Sequence, residues 1–287
     1  MSAPTTVIIP TYNGVKLLEK HLPAVEAVLR DGDQLIIADD ASSDESVEWL
    51  RRRYTLKPRT LPIDIPDAVI YSNTFTNRSG QNSISLLRHN KNVRFAKNIN
   101  IAVTLVTTST FVLVNNDVSP AENILDILSS FFYESSVFAV GCHEIEHAAD
   151  KVHGGKNSIW FERGIFQHSR AKTFTTGETA WVSGGSGMFA TDKWRTLGGF
   201  DERFYPAYWE DTDLSFRAHQ HGWKTLFAAD AIVYHHHETT NAATFGNNEI
   251  ARLSWQHQKY FTRKHANAWQ LALYYVWQPY WWWKMKQ

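Results

Sequence analysis

Across 287 residues this chain has one cysteine, Cys142. That excludes an internal disulfide and fits a reducing compartment. The thiol follows an expected strand, Val137 to Gly141, and should pack rather than react. No apolar run approaches the ~18 residues a membrane-spanning helix needs. Charge of one sign is not in excess: lysine plus arginine and aspartate plus glutamate stand at 29 each. With no long basic run, the balance argues against a nucleic-acid binder. There is no internal repeat. His143, Glu144, Glu146 and His147 follow no zinc-site spacing and read as surface loop. The chain enters its first apolar strand too soon for a signal peptide, so the expected location is the cytoplasm or the cytoplasmic face of the membrane.

What is present is a globular composition, 43% hydrophobic, with strands and helices in alternation. Val7-Ile8-Ile9 reads as a strand ending in Pro10-Thr11-Tyr12-Asn13-Gly14. A helix follows, with Leu17, Leu18, Leu22, Val25, Val28 and Leu29 near one face and a stop at Asp31-Gly32. Leu35 to Ala38 is a second strand with Asp39-Asp40 at its end, and Ser42 and Glu45 have capping-box spacing for the next helix. Strand-helix-strand with polar residues past the strand ends is how open α/β sheets bind nucleotides. Asp39 and Asp40 have a second reading, as caps of a loop. Phe111 to Val114 is another buried strand, ended by Asn115-Asn116-Asp117, where an Asx-turn competes with a ligand role. Between these, Tyr54 to Ser83 is interrupted by prolines and then polar, and reads as an excursion between strands.

The densest run of signals lies from Trp181 to His237. Gly184, Gly185 and Gly187 allow close backbone approach; Gly198-Gly199 and Asp201 follow. Glu210-Asp211-Thr212-Asp213 then opens an amphipathic helix, where carboxylates suit the free amides and the dipole. A short strand, Ile232-Val233-Tyr234, runs into His235-His236-His237. This order closely resembles the acceptor half of family 2 glycosyltransferases, enzymes of the GT-A fold. Asn92 to Asn100 resembles the family's Asn-X-Gly-Phe-Ala-X-X-X-Asn segment, with Arg94 in place of glycine. Arg94 then reads either as a cation near a diphosphate or as a solvated side chain. Asn116-Asp117-Val118-Ser119-Pro120 resembles a run in bacterial rhamnosyltransferase-like members, although only the last carboxylate of the usual Asp-X-Asp is kept. The likeness covers roughly residues 5 to 265, leaving the 54–83 excursion and the His143–Thr179 segment unmatched.

The resemblance implies an α/β fold: a mixed, Rossmann-like nucleotide-binding GT-A sheet flanked by helices, with a C-terminal helical, aromatic-rich extension. The catalytic domain would span 1–248, its donor half about 1–120 and its acceptor half about 121–248, and the extension 249–287. It further implies an inverting glycosyltransferase that moves a sugar from a nucleotide diphosphate sugar (UDP-, dTDP- or GDP-linked) to a hydroxyl of a glycan or polyprenyl-linked glycan, in bacterial surface polysaccharide synthesis. Asp211 would be the general base and Glu210 its partner. Pro10, Thr11, Tyr12, Asn13, Asp39, Asp40, Asn92, Asn100 and Asn116 would hold the donor nucleotide. Asp117 and His235 would bind Mg²⁺ or Mn²⁺; His237 shares the face of His235. Gly184, Gly185, Trp209 and Asp213 would line the sugar and acceptor region.

Arg252 to His265 resembles the Arg-rich helical segment that follows the catalytic domain in bacterial members. After it come Trp269, Tyr274, Tyr275, Trp277, Tyr280, Trp281, Trp282 and Trp283, with Lys284 and Lys286, a composition suited to a membrane surface or to packing on protein. Two other classes fit part of the pattern: a nucleotidyltransferase, which leaves the acidic helix start unexplained, and a catalytically silent glycan- or nucleotide-binding protein, which fits the missing carboxylates. A two-carboxylate glycoside hydrolase would have no use for the nucleotide half.

Overall fold

The computed structural model describes residues 3–60, 65, 67–146, 152–235 and 247–284. In chain order the first half runs β1 (Thr6–Thr11), α1 (Val15–Val28), β2 (Gln34–Asp39), α2 (Ser46–Tyr54), β3 (Lys57–Pro58), β4 (Ala68–Thr76), β5 (Gln81–His89), α3 (Phe95–Val103) and β6 (Thr110–Val114). Next are β7 (Val118–Pro120), α4 (Ile124–Ser129), β8 (Val137–Glu146), β9 (Val152–Gly154), β10 (Asn157–Glu162), β11 (Ile165–Arg170) and β12 (Gly177–Glu178). The last part holds β13 (Ser186–Ala190), α5 (Thr191–Leu197), α6 (Glu210–Gln220), β14 (Lys224–His235), α7 (Asn247–His265), α8 (Ala268–Val276) and α9 (Gln278–Lys284).

One mixed sheet carries almost everything, in the order β12-β14-β8-β13-β6-β1-β2-β5-β4-β3, and β10 and β11 form a separate hairpin. β6, β1, β2 and β5 run parallel, while β13 is inserted antiparallel between β6 and β8. Strand side chains alternate between faces, and both faces are covered. Val7, Ile9, Leu35 and Ile37 meet Leu18, Leu22 and Val25 of α1 on one side. Ile8, Ile36, Leu113 and Phe189 meet Ile99 of α3 and Trp194 of α5 on the other. Parallel central strands buried on both faces explain the unbroken apolar runs that mark β1, β2 and β6 in the sequence.

Three expectations change. Much of the later part of the 54–83 excursion is sheet: β4 and β5 pair antiparallel from Ala68↔His89 to Thr76↔Gln81. Polar residues interrupt the apolar ones along β4, next to the short edge strand β3, and at the start of β5, which hides both from a search for apolar runs. The His143–Thr179 segment is likewise built of strands, and Cys142 lies buried inside β8 rather than after it. Ser42 and Glu45 form no capping box; Ser42 Oγ accepts the Asn13 amide, and α2 begins without a side-chain cap.

The C-terminal extension shares a core with what precedes it. Phe261 of α7 is fully buried with Phe166, Phe204 and Trp209, so a cut at 248 would divide that cluster. At the far end of the sheet, β14 pairs with β7 in the register Val233↔Pro120, Tyr234↔Ser119 and His235↔Val118. A bulge between Ala228 and Ile232 adjusts β14 against β8. No helix among the described residues is long and apolar enough to cross a membrane.

Candidate active site

The C-terminal ends of β1, β2, β6 and β14 share one edge of the sheet, as does the start of the antiparallel β13. Most of the candidate residues lie along this edge. Thr11 and Asp39 are paired across β1 and β2. Asp39 is fully buried; Oδ2 accepts the Ser42 amide at 3.1 Å, and Oδ1 has no hydrogen-bond partner among the described residues. Burial pushes its acid up to about 6. A buried oxygen without a donor is a cost unless a ligand supplies one.

Asp40 is different. Its two oxygens accept the amides of Val93 (2.6 Å) and Arg94 (2.9 Å), so it pins the loop before α3 rather than facing the cleft. Asn92 joins it, accepting the same Arg94 amide at 3.1 Å. Asn13, at φ 49°, accepts from the Ser43 and Asp44 amides and ties the first loop to the second. Asn100 reaches the acceptor half, donating to the Phe200 carbonyl (2.9 Å) and accepting the Phe200 amide (2.8 Å). Asn116 stays at the strand ends: its side-chain amide donates to Thr11 Oγ1 at 3.1 Å, close beside Gly14. Pro10 lies near the end of β1, and Tyr12 is half-buried just past it.

Asp117 and His235 come together although 118 positions separate them: His235 Nε2 lies 3.3 Å from Asp117 Oδ1. Burial works against a charged ring, but Asp117, with Glu144 and Glu146 adding to it, outweighs burial and raises the histidine's pKa. Neighbouring ligands of an octahedral ion with ~2.1 Å bonds sit about 3 Å apart, so this pair fits a small divalent cation. No group of three or more His, Cys, Asp or Glu residues able to hold a metal occurs among the described residues, and further ligands would have to come from a substrate or water. His236 and His237 lie outside the described residues.

Glu210 and Asp211 open α6, directly after a turn in which Tyr208 and Trp209 hold φ of 78° and 77°. Such angles are costly for large side chains and persist only where the surroundings enforce them. Glu210 is buried, with Oε2 unpartnered among the described residues; burial and the neighbouring Asp211 push it up to about 8. Asp211 is half-buried, accepts the Thr212 amide (2.7 Å) and, more loosely, the Gly184 amide (3.4 Å), and is raised mainly by burial. Gly184 is needed because a Cβ there would press on Phe95 and Phe200, and Gly185 because one would meet the Asn115 amide.

Two residues expected in the sugar region are buried and engaged by protein partners. Trp209 is 4% exposed, packed among His168 and Phe261, with its ring N–H donated to Ser254. Asp213 is 0% exposed and saturated by Arg217 (2.8 Å), Lys264 (2.6 Å) and His265 (2.7 Å), which hold its acid low against the effect of burial. Lys264 also grips Asp201 at 2.8 Å, and the His257 ring contacts the Tyr208 carbonyl at 3.0 Å. Ser254, His257, Lys264 and His265 are therefore supports of the site that sequence reasoning misses. Their only trace in the sequence is the polar face of a helix, which names no partner.

Comparison with known proteins gives the family and the fold. Residues 6–66 match the family described as Glycosyl transferase family 2, and residues 74–251 match Glycosyltransferase like family 2. An O-antigen chain rhamnosyltransferase of Salmonella typhimurium is 26% identical over 247 residues, covering 84% of this chain and 68% of that protein. An N-acetylglucosaminyl-diphospho-decaprenol L-rhamnosyltransferase of Mycobacterium tuberculosis is 29% identical over 96 residues, 32% of this chain and 30% of its own length. Among solved structures, GalNAc-T7 with UDP, GalNAc and Mn²⁺ superposes with a TM-score of 0.61 at 13% identity, covering 83% of this chain and 45% of that one. A mannosyltransferase from Pyrobaculum calidifontis, in complex with GDP-Man and Mn²⁺, gives 0.58 at 16% identity over 96% of this chain and 74% of that one. These likenesses establish the GT-A fold.

Proposed function

The chain belongs to glycosyltransferase family 2, and from that premise we propose that it moves a sugar, with inversion, from a nucleoside-diphosphate sugar to a hydroxyl of a glycan or lipid-linked glycan. The observation that carries this reading is the assembly on one sheet edge of three features: an unpartnered Asp39 oxygen, the Asp117–His235 pair, and a half-buried Asp211 at a helix start. Asp39 would take an N–H of the base. Asp117 and His235 would hold a divalent cation, Mg²⁺ or Mn²⁺, which when bound would neutralise the donor diphosphate.

An acceptor hydroxyl is a poor nucleophile near neutral pH and needs a base within reach. Asp211 is accessible from the cleft and more basic than an ordinary carboxylate, which suits it to that task. As the acceptor oxygen bonds to the anomeric carbon, the bond from that carbon to the diphosphate oxygen breaks, Asp211 receives the hydroxyl proton, and nucleoside diphosphate leaves. Glu210, buried beside Asp211 and pushed up to about 8, would stay protonated near neutral pH and leave Asp211 as the ionised carboxylate of the pair. The two relatives named as rhamnosyltransferases favour a deoxyhexose donor and a place in surface polysaccharide synthesis.

Trp269 and Trp282, 71% and 64% exposed, support a membrane-surface contact by α8 and α9, whereas Tyr274 and Trp281 are committed to packing on Ile165. Truncation after His265 should then leave donor binding intact and remove cosedimentation with anionic liposomes; equal sedimentation of both forms would end that part of the reading. The central test is a panel of nucleotide sugars in thermal shift with and without Mn²⁺, followed by transfer to a glycan acceptor. A donor that stabilises the protein in a cation-dependent way and is turned over is the expected result. Stabilisation with no turnover on any acceptor would leave a binding protein instead.

A further inference from the structure

We infer that the pocket of about 240 Å³ between the 91–97 segment and residues 202–206 is an anion subsite, and that it takes a phosphate or diphosphate ester carried by the acceptor. The first clause stands on the pocket itself; the second rests on the transfer reading above. Lys91, Arg94 and Lys97 line one wall, and Glu202, Tyr205 and Pro206 the other. Three cations against one lining carboxylate is a local excess in a chain whose formal net charge is +0. Lys91 is shared with Asp67 outside the pocket, at 3.3 Å. Glu202 is drawn aside by the Asn100 amide at 3.4 Å. Arg94, the non-helical residue just before α3, and Lys97 in the first turn of that helix both line the pocket, and the positive end of the helix dipole adds to them.

The cations are held in place by more than chance exposure. Asp40 spends both oxygens on the Val93 and Arg94 amides, and this clamp keeps Arg94 at φ 69°. That backbone region favours glycine, so a side chain here is retained against a conformational cost. The Arg94 guanidinium reaches across the pocket to the Tyr205 hydroxyl at 3.4 Å, bridging the donor-side loop to the acceptor-side loop. Asp40 is used up by the clamp, and the donor diphosphate already has Asp117 and His235 at the ends of β6 and β14. An anion drawn to Arg94 and Lys97 is then a second one, and in a transfer between two substrates the second is the acceptor. A guanidinium and ammonium groups around one pocket are suited to phosphate oxygens.

The test uses the full chain and inorganic pyrophosphate, titrated by calorimetry without donor or divalent cation. Affinity should fall about 10-fold in Lys97→Gln and by a similar factor in Arg94→Gly. Since glycine relieves the Arg94 backbone, that variant should melt no lower than wild type, which separates a lost cation from a damaged fold. Absence of pyrophosphate binding, or binding untouched by both substitutions, overturns the subsite. In turnover, the KM for a diphosphate-linked acceptor should rise about 10-fold in both variants while the donor KM stays put. A matching rise in donor KM would assign the pocket to the donor and overturn the acceptor assignment. The calorimetric result does not depend on the chain being a transferase, so the two readings fail separately.

Discussion

On the donor side, the first two loops are tied to one another by neutral side chains 29 to 31 positions apart: Asn13 holds Ser43 and Asp44, and Ser42 holds Asn13 in return. On the carboxylate side, the turn and helix that present Glu210 and Asp211 are held by a helix that arrives much later. Ser254 and His257 secure the Tyr208–Trp209 turn, and Lys264 and His265 secure Asp213. The first arrangement uses neutral, partly exposed hydrogen bonds. The second uses buried charge. Buried pairs stabilise little net but cost heavily when one partner is removed, so the two sides should respond to substitution in different ways.

The largest effect should be on chemistry. Asp211→Asn keeps the shape of the carboxylate helix and removes its proton acceptor, so turnover should fall by about 10²- to 10⁴-fold with donor affinity unchanged. Near wild-type turnover would sink the assignment. Next comes the clamp. Asp213→Ala leaves Arg217, Lys264 and His265 facing an empty site, and should cost about 3–5 kcal/mol in denaturant unfolding. A loss of a few tenths would mean the clamp is solvated in practice.

The pH dependence should also divide the two sides. Glu210 titrates near 8 in the folded chain, against roughly 4.3 when unfolded. A raised acid stabilises fully below its unfolded pKa, and that contribution is lost as pH rises through the folded one. Wild type should therefore lose melting temperature between pH 5 and pH 8 by more than Glu210→Gln does; parallel curves would contradict the buried, charge-averse glutamate. The smallest effect belongs to the donor side. Asn13→Ala removes exposed hydrogen bonds to the second loop and should cost only about 1 kcal/mol. A cost equal to that of Asp213→Ala would erase the distinction between the two sides.

The same contrast explains what can be read in advance. β1, β2 and β6 announce themselves because both faces are buried and their apolar runs are unbroken. The order of Asp39, Asp117 and Asp211 along the chain carries the site, since each stands at a strand end or a helix start. Roles within that set are less legible. Nothing local distinguishes Asp39, with an oxygen to spare, from Asp40, whose oxygens are occupied by amides more than fifty residues away. Trp209 and Asp213 sit in the right motif but point into α7, a partner that only three-dimensional packing supplies. β4 and β5 escape notice because polar residues interrupt the apolar ones in both strands.

The ladder between β7 and β14 acts as a ruler for the Asp117–His235 pair. Val118, immediately after Asp117, is the residue opposite His235. Strand side chains alternate with a period of two, so sliding β14 by one residue would turn the imidazole to the other face and bring Tyr234 in its place. The bulge at Ala228 to Ile232 lies upstream of this contact and can absorb a change in length before it reaches the histidine. Insertions there should be tolerated while insertions between Ile232 and His235 should not. The spacing of Asp117 and His235, 118 positions apart, thus depends on three consecutive backbone pairings, not on the length of chain between them.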